Sequence, residues 1–335
     1  MVLNIAVIGA GISGLSTALK IMQDIPNRKV TIFFDQCTPN TTGNVAAGFI
    51  YPIPCGRPDP TDDDAKRLCR YFEQTMDRLK DLHKRPDAYK LGITPVSGYI
   101  LGFDVPDYAA RSLTDLRKID RDTQASFMIP QEEGHTFTTW ICDCNKYLPW
   151  LMQEIENMGG KFIQRRIENL DELKNFNLIV NCAGVHSNFL GKDEKIESHR
   201  GQVIVVKAPW INHFYIAPPE TYIFPRMDDV ILGGSLGIGN WSLKEDRDES
   251  KTIWQECLKL CPSLKYCDVK DVQVGLRPGR NSIRLEVEEV NIDGKCVPVL
   301  HNYGHGGGGI TFHWGCAIEA SELVQTYLKK AKACL

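Results

Sequence analysis

One hexapeptide near the N-terminus limits what this chain can fold into more than any other stretch. The apolar run Leu3 to Ile8 is followed at once by GAGISG, with glycines at Gly9, Gly11 and Gly14. Leu15 to Met22 then reads as a helix, and Lys29 to Phe34 is a second apolar run ending at Asp35. Strand, glycine turn, helix, strand and acidic residue together make a dinucleotide-binding unit. Gly9 permits the tight turn, Gly11 lets the backbone approach a pyrophosphate, and Gly14 lets the helix pack close to the strand. The helix N-terminus turns its unpaired N–H groups and positive dipole end toward phosphate. Asp35 lies 21 residues after Gly14, where a carboxylate can accept hydrogen bonds from ribose hydroxyls. The motif alone does not separate NAD from FAD.

Composition narrows the class further. The chain has 335 residues, 43% hydrophobic and 24% charged, as expected of a globular enzyme with two domains or one large interleaved one. A net charge of −3 gives no electrostatic reason to expect nucleic acid. No apolar run reaches the ~18 residues of a membrane span, and the N-terminus lacks the basic region and cleavage site of a signal peptide. The twelve cysteines show no zinc-site spacing, and Cys142 and Cys144 lack the two-residue gap of a redox pair, so they read as reduced thiols. No metal site is expected.

The rest of the chain divides between two kinds of pattern. Thr38 to Gly48 is a loop of small and hydroxyl residues able to follow a cofactor closely. Ile53 to Asp64 reads as an exposed loop, and Asp64 to His83 as a core-facing helix by its three- and four-residue apolar steps. Lys161 to Gln164, Leu178 to Cys182 and Val297 to His301 add strands to the N-terminal sheet. Gly201 to Lys207, Thr221 to Phe224, Val230 to Gly234 and Ile283 to Val290 predict a separate antiparallel sheet. The expected fold class is α/β: a discontinuous Rossmann-type domain from residues 1–52, 145–200 and 295–335, and a mainly antiparallel β substrate domain from 53–144 and 201–294.

Two further stretches carry chemistry. HNYGHGGGGIT, from His301 to Thr311, places four successive glycines before a helix predicted over Trp314 to Leu328. Four glycines are entropically costly, and persist where a planar ligand needs the backbone close. In VGLRPGRNSIR, Arg277 is placed to clamp a carboxylate through two parallel N–H bonds, whereas Arg280 and Arg284 read as surface residues. Tyr222 lies in the alternating run TYIFP.

These pieces, in this order, resemble the D-amino-acid oxidase and D-aspartate oxidase family over essentially the whole chain. The motifs are GAGISGLSTA, TPNTTGNVAAG, VNCAG, RGQVIVVKAPW, YIFP, LGG with GNW, GLRPGR with IRLE, and HNYGHGGGGIT with HWG. The resemblance implies FAD as cofactor and a D-amino acid and O2 as substrates. Gly9, Gly11 and Gly14 would cradle the pyrophosphate, and Asp35 and Gln36 would face the adenosine ribose. Thr41, Thr42, Ala47, Gly48 and Phe49 would contact ribityl and flavin, and Ile167 the adenosine half through its backbone. Gly309, Ile310 and Thr311 would close over the flavin. Arg277 and Tyr222 match the family's carboxylate-binding pair, and Gly307 the carbonyl that accepts the amino group. The family transfers hydride from Cα to the flavin, so no side chain is nominated as a catalytic base; His305 reads as a structural hydrogen-bonder.

The resemblance divides over the substrate side chain. Where the D-aspartate branch looks for basic groups, this chain has Ser235-Leu236-Gly237 and Tyr215-Ile216-Ala217. An apolar wall disfavours a second carboxylate, so uncharged D-amino acids are expected, with D-aspartate or D-glutamate as the alternative if Arg57 or Arg226 supplies a cation. The C-terminal Ala333-Cys334-Leu335 lacks the middle basic residue of the family's peroxisomal tripeptide; peroxide production still favours a peroxisome, with cytoplasm as alternative. No nucleic acid or membrane partner is expected, and the protein would be a monomer or homodimer. The remoter rivals are an NAD-dependent dehydrogenase and a non-catalytic flavin-binding relative.

Overall fold

The computed structural model describes residues 2–51, 62–105, 107–125, 133–191 and 193–333. Arg57, most of the loop expected over Ile53 to Asp64, and the terminal Cys334 and Leu335 lie outside the described residues. The strands begin with β1 (Leu3–Ile8), β2 (Arg28–Phe34), β3 (Ile93–Leu101), β4 (Thr114–Lys118) and β5 (Gly134–Cys142). They continue with β6 (Lys161–Gln164), β7 (Leu178–Asn181), β8 (Glu197–Lys207), β9 (Phe214–Ala217) and β10 (Thr221–Pro225). Then come β11 (Val230–Gly233), β12 (Gly237–Ile238), β13 (Asp268–Gly279), β14 (Arg284–Ile292) and β15 (Lys295–Tyr303).

Among the described residues, the apolar runs at the N-terminus form the centre of a six-stranded sheet in the order β14-β15-β7-β1-β2-β6. All its pairings are parallel except β14 with β15. A parallel strand is covered on both faces, and β1 shows it. Ile5 and Val7 pack in the cluster that contains Leu15, Leu19 and Ile21 of the Ile12–Asp24 helix. Ala6 and Ile8 face the opposite side, with Phe33, Ile179 and Val299. The Gly309–Ala333 helix lies against the Ile12–Asp24 helix, and the Asp62–His83 helix packs on it in turn.

Among the described residues, the second sheet has nine strands, in the order β12-β8-β11-β10-β9-β3-β5-β4, with β13 also paired to β8. Its pairings are antiparallel apart from β3 with β9. Strand alternation separates its faces. Ile204, Val206, Ile223 and Leu232 are covered by Ile253, Cys257 and Leu260 of the Arg247–Leu260 helix. That helix starts at Asp246, whose carboxylate accepts from the Asp248 and Glu249 amides. Val203, Val205, Phe214, Ile216 and Phe224 point the other way, into the cluster shared with the first sheet.

Two expectations about these elements are corrected. The strand expected over Ile283 to Val290 does not join the antiparallel sheet; it is β14, an edge of the parallel one. Asp293 and Gly294, at φ 55° and 80°, turn it directly back onto β15, so it goes where β15 goes. The C-terminal helix starts at Gly309, not Trp314, so the last glycine of the tract is already helical. Among the described residues, no helix is long and apolar enough to cross a membrane, and no group of three or more His, Cys, Asp or Glu could hold a metal ion.

Candidate active site

The three glycines of the first turn divide their tasks as their spacing implies. Gly9 adopts φ +106°, and a Cβ there would collide with the Cys182 carbonyl just past the end of β7. A Cβ at Gly14 would overlap the Gly9 carbonyl oxygen, so helix and strand approach only because Gly14 has none. A Cβ at Gly11 would meet nothing within 4 Å. Gly11 caps the Ile12–Asp24 helix without a side-chain hydrogen bond to its first amides. An open cradle under a free helix N-terminus fits a dinucleotide pyrophosphate.

Asp35 and Gln36 follow β2 and are exposed. The Asp35 carboxylate is 3.6 Å from Arg166 Nη1, and its carbonyl accepts from Gln164 Nε2 at 3.3 Å. The next residue after Arg166 is Ile167, whose side chain is buried in the cluster that contains Phe33. The adenosine-side residues expected from sequence therefore gather along the β2–β6 edge.

Thr41, Thr42, Ala47, Gly48 and Phe49 cross from the first sheet to the second. Thr41 Oγ1 is 2.6 Å from Asn44 Oδ1, and Thr42 Oγ1 donates to the Leu276 carbonyl at 3.1 Å. Thr42 therefore ties the loop to β13, a structural duty that nothing in its sequence neighbourhood marks. Ala47 is buried. Gly48, at φ +79°, lies where a Cβ would collide with the Cys142 carbonyl, and its own carbonyl accepts from the Cys142 amide at 2.8 Å. Phe49 stacks on Phe224 with ring centroids 4.3 Å apart, and Phe224 stacks on Tyr222 at 4.6 Å. A ladder of three rings thus joins the cofactor loop to an expected substrate residue.

Gly309, Ile310 and Thr311 open the C-terminal helix, beside the Gly306–Gly308 turn. Thr311 Oγ1 donates to the Tyr51 carbonyl at 3.2 Å, which binds the helix start to the residues after Phe49. Gly307 is exposed while its neighbours Gly306 and Gly308 are buried. The turn packs against β13, the strand that carries Arg277. His305 is buried.

Arg277 is half-buried and forms no ion pair among the described residues; its Nη1 donates to the Ser235 carbonyl at 3.1 Å and approaches the Arg200 carbonyl at 3.4 Å. A cation held by neutral acceptors in a partly desolvated place retains its capacity for an incoming carboxylate. The surface below it is made of glycine. A Cβ at Gly201 would collide with the guanidinium, and a Cβ at Gly233 or Gly234 would collide with the Tyr222 ring. Sequence reasoning did not single out Gly201, Gly233, Gly234 and Ser235 as site residues. Their signal lies in RGQ and LGG, which mark small residues opposite a large side chain only once the strand register is known.

Three arginines correct the sequence reading. Arg226 is not a spare cation: its side chain is 4% exposed, bonded to Asp229 at 2.7 and 2.9 Å and 3.5 Å from Asp143. Arg280 and Arg284 are not surface residues; their side chains are 13% and 14% exposed within one polar network. Cys142 and Cys144 are buried, and burial raises both thiols far above the usual range, which keeps them protonated.

The parallel sheet with its open glycine cradle stands against an antiparallel sheet whose Arg277 has no carboxylate partner among the described residues. Together they fit a dinucleotide-dependent enzyme. The family model described as FAD dependent oxidoreductase matches residues 4–323. The chain is 41% identical to the D-aspartate oxidase of Homo sapiens, covering 96% of this chain and 94% of that one. It is 35% identical to the D-amino acid oxidase of Dugesia ryukyuensis, covering 98% and 100%. Among solved structures, glycine oxidase from Geobacillus kaustophilus superposes with a TM-score of 0.77 at 13% identity, covering 96% of this chain and 94% of that one. The chain belongs to the FAD-dependent oxidoreductase family, within its D-amino-acid oxidase and D-aspartate oxidase branch. Its cofactor is FAD.

Proposed function

We propose that this flavoenzyme oxidatively deaminates D-amino acids with uncharged side chains. The observation that carries the side-chain preference is that the residues placed next to the two expected anchors, Ile216 and Leu236, are apolar. Ile216 stands opposite Tyr222 in the β9–β10 register, and Leu236 directly follows the Ser235 carbonyl that holds Arg277. Arg226, the alternative cation among the described residues, is already engaged by two aspartates. A second substrate carboxylate would therefore be buried against apolar groups.

In this reading Arg277 receives the α-carboxylate, with Tyr222 as its partner. The Gly307 carbonyl accepts from the amino group, which fixes the third substituent of Cα. Bound FAD supplies the hydride acceptor, and its reoxidation by O2 yields hydrogen peroxide. The chain's own contribution is placement: two polar anchors and an apolar wall leave one orientation for the Cα–H. The imino acid then hydrolyses to a 2-oxo acid and ammonia. Formation of peroxide favours a peroxisomal location, which fluorescence of the tagged full chain in cells would test.

A second reading, D-aspartate as substrate, is favoured by the 41% identity to the human D-aspartate oxidase. Peroxide release across D-alanine, D-methionine, D-aspartate and D-glutamate separates the two. The first reading expects kcat/KM to favour the uncharged pair. Leu236→Arg should then raise kcat/KM on D-aspartate roughly tenfold to a hundredfold, the scale of one charge-assisted hydrogen bond, and lower it on D-methionine. A wild-type preference for D-aspartate, with little response to Leu236→Arg, would overturn it.

A further inference from the structure

The buried carboxylate of Asp193 lies outside the substrate and cofactor contacts described above, yet several segments meet on it. Arg280 Nε donates to Asp193 Oδ2 at 3.0 Å, and Tyr303 Oη donates to the same oxygen at 3.0 Å. Arg284 Nη1 is 3.9 Å from that oxygen and donates to Tyr303 Oη at 2.7 Å. The Lys195 amide donates to Asp193 Oδ1 at 3.1 Å. The Asp193 side chain is 7% exposed.

The positions of these partners matter more than their number. Arg280 directly follows β13, the strand that carries Arg277. Tyr303 ends β15 and directly precedes the Gly304 to Gly309 tract. Gly304 takes φ +80°, and a Cβ there would stand 2.8 Å from Arg280 Cδ, so the arginine stem crosses the chain where the tract begins. Burial pushes the Asp193 carboxyl up, but the Lys195 amide, Tyr303 and Arg280 outweigh it and hold the group below the usual carboxylate range. It is therefore an anion at neutral pH, with two guanidinium groups and a phenol around it.

We propose that Asp193 is a positioning residue that fixes the strand bearing Arg277 relative to the glycine turn bearing Gly307. This rests on the reading of Arg277 and Gly307 as the two substrate anchors. Those anchors come from different sheets: Arg277 lies on β13 of the antiparallel one, and Gly307 follows β15 of the parallel one. The distance between them is not set by either sheet alone. Asp193 holds one end of each strand through a single oxygen, and loss of its charge removes that clamp and leaves the turn held on β13 by packing.

The test uses FAD-loaded Asp193→Asn, with Arg280→Lys, Tyr303→Phe and their double variant. The readouts are FAD dissociation, visible circular dichroism of the bound flavin, thermal stability, and anaerobic flavin reduction by D-alanine and D-aspartate. Asp193→Asn is expected to keep FAD affinity within about threefold while flavin reduction in the loaded enzyme falls about tenfold to a hundredfold, the scale of a misplaced reacting group. The flavin dichroism should change in parallel. A loaded variant that reduces at the wild-type rate would overturn the proposal, as would a loss explained by FAD content alone. If Asp193→Asn does not fold, the other variants decide it. Both act through one carboxylate, so their effects on the reduction rate should be non-additive, and additivity would overturn the proposal. Failure of wild-type enzyme to oxidise any D-amino acid would instead defeat the functional reading.

Discussion

Arg277→Ala is expected to lower kcat/KM by the same large factor on every D-amino acid the enzyme oxidises. The guanidinium is half-buried, has no carboxylate partner among the described residues, and is fixed from behind by the Ser235 carbonyl. Removing one member of a desolvated charge pair leaves the other buried without compensation, at a cost of roughly 3–5 kcal/mol. At about 1.4 kcal/mol per factor of ten, this is on the order of a hundredfold to several thousandfold. Arg277→Lys keeps the charge but loses the planar fork, so it should fall between wild type and Arg277→Ala. FAD content should be retained in both. Steady-state kinetics on D-alanine and D-aspartate decide the role: a defect confined to D-aspartate would make Arg277 a side-chain partner instead.

Gly11 and Gly14 should fail in different ways. Gly11→Val adds side-chain atoms to space that is open in the protein chain, where a Cβ meets nothing within 4 Å. The apoprotein should fold with only the modest loss, about 1 kcal/mol, of a β-branched residue at a helix cap, and lack the flavin absorption bands, because the new side chain occupies the pyrophosphate cradle. Gly14→Ala overlaps the Gly9 carbonyl and forces the helix off β1. That clash acts without any ligand, so the apoprotein itself should lose stability, by about 1–3 kcal/mol or more. Thermal melts of the two apoproteins, with flavin content measured after reconstitution, distinguish them. A Gly11→Val protein with full flavin content would remove Gly11 from the site.

The first dinucleotide-binding unit is legible in the sequence because its determinants are local. Gly9 and Gly14 each meet a steric constraint within the turn or beside the adjacent strand, Gly11 leaves the space at the helix N-terminus open, and the order of the motif encodes this division. The strand β14 shows the limit. Its alternation suits either sheet, and only the turn at Asp293 and Gly294 assigns it to β15. Thr42 and Arg226 show another limit. A hydroxyl and a guanidinium look available in a sequence, and their engagement by Leu276, Asp229 and Asp143 exists only after the chain has folded. Arg280 and Arg284 read as surface residues for the same reason: the carboxylate they share, Asp193, lies far from both in the sequence and reaches them only in the fold.

The glycine surface under Arg277 and Tyr222 has a consequence for how this pocket can change. At Gly201, Gly233 and Gly234, even one added methyl would collide with Arg277 or Tyr222. In the proposed function, a substitution there is expected to displace Arg277 or Tyr222 and so to damage recognition of the group that all substrates share. In the proposed function variety is left to the margin, at Ile216 and Leu236, where a new side chain would meet the part of the substrate that differs from one amino acid to another. The pocket separates what must stay fixed from what can drift, so a mutational scan of these positions should divide cleanly into substitutions that abolish turnover and substitutions that redirect it.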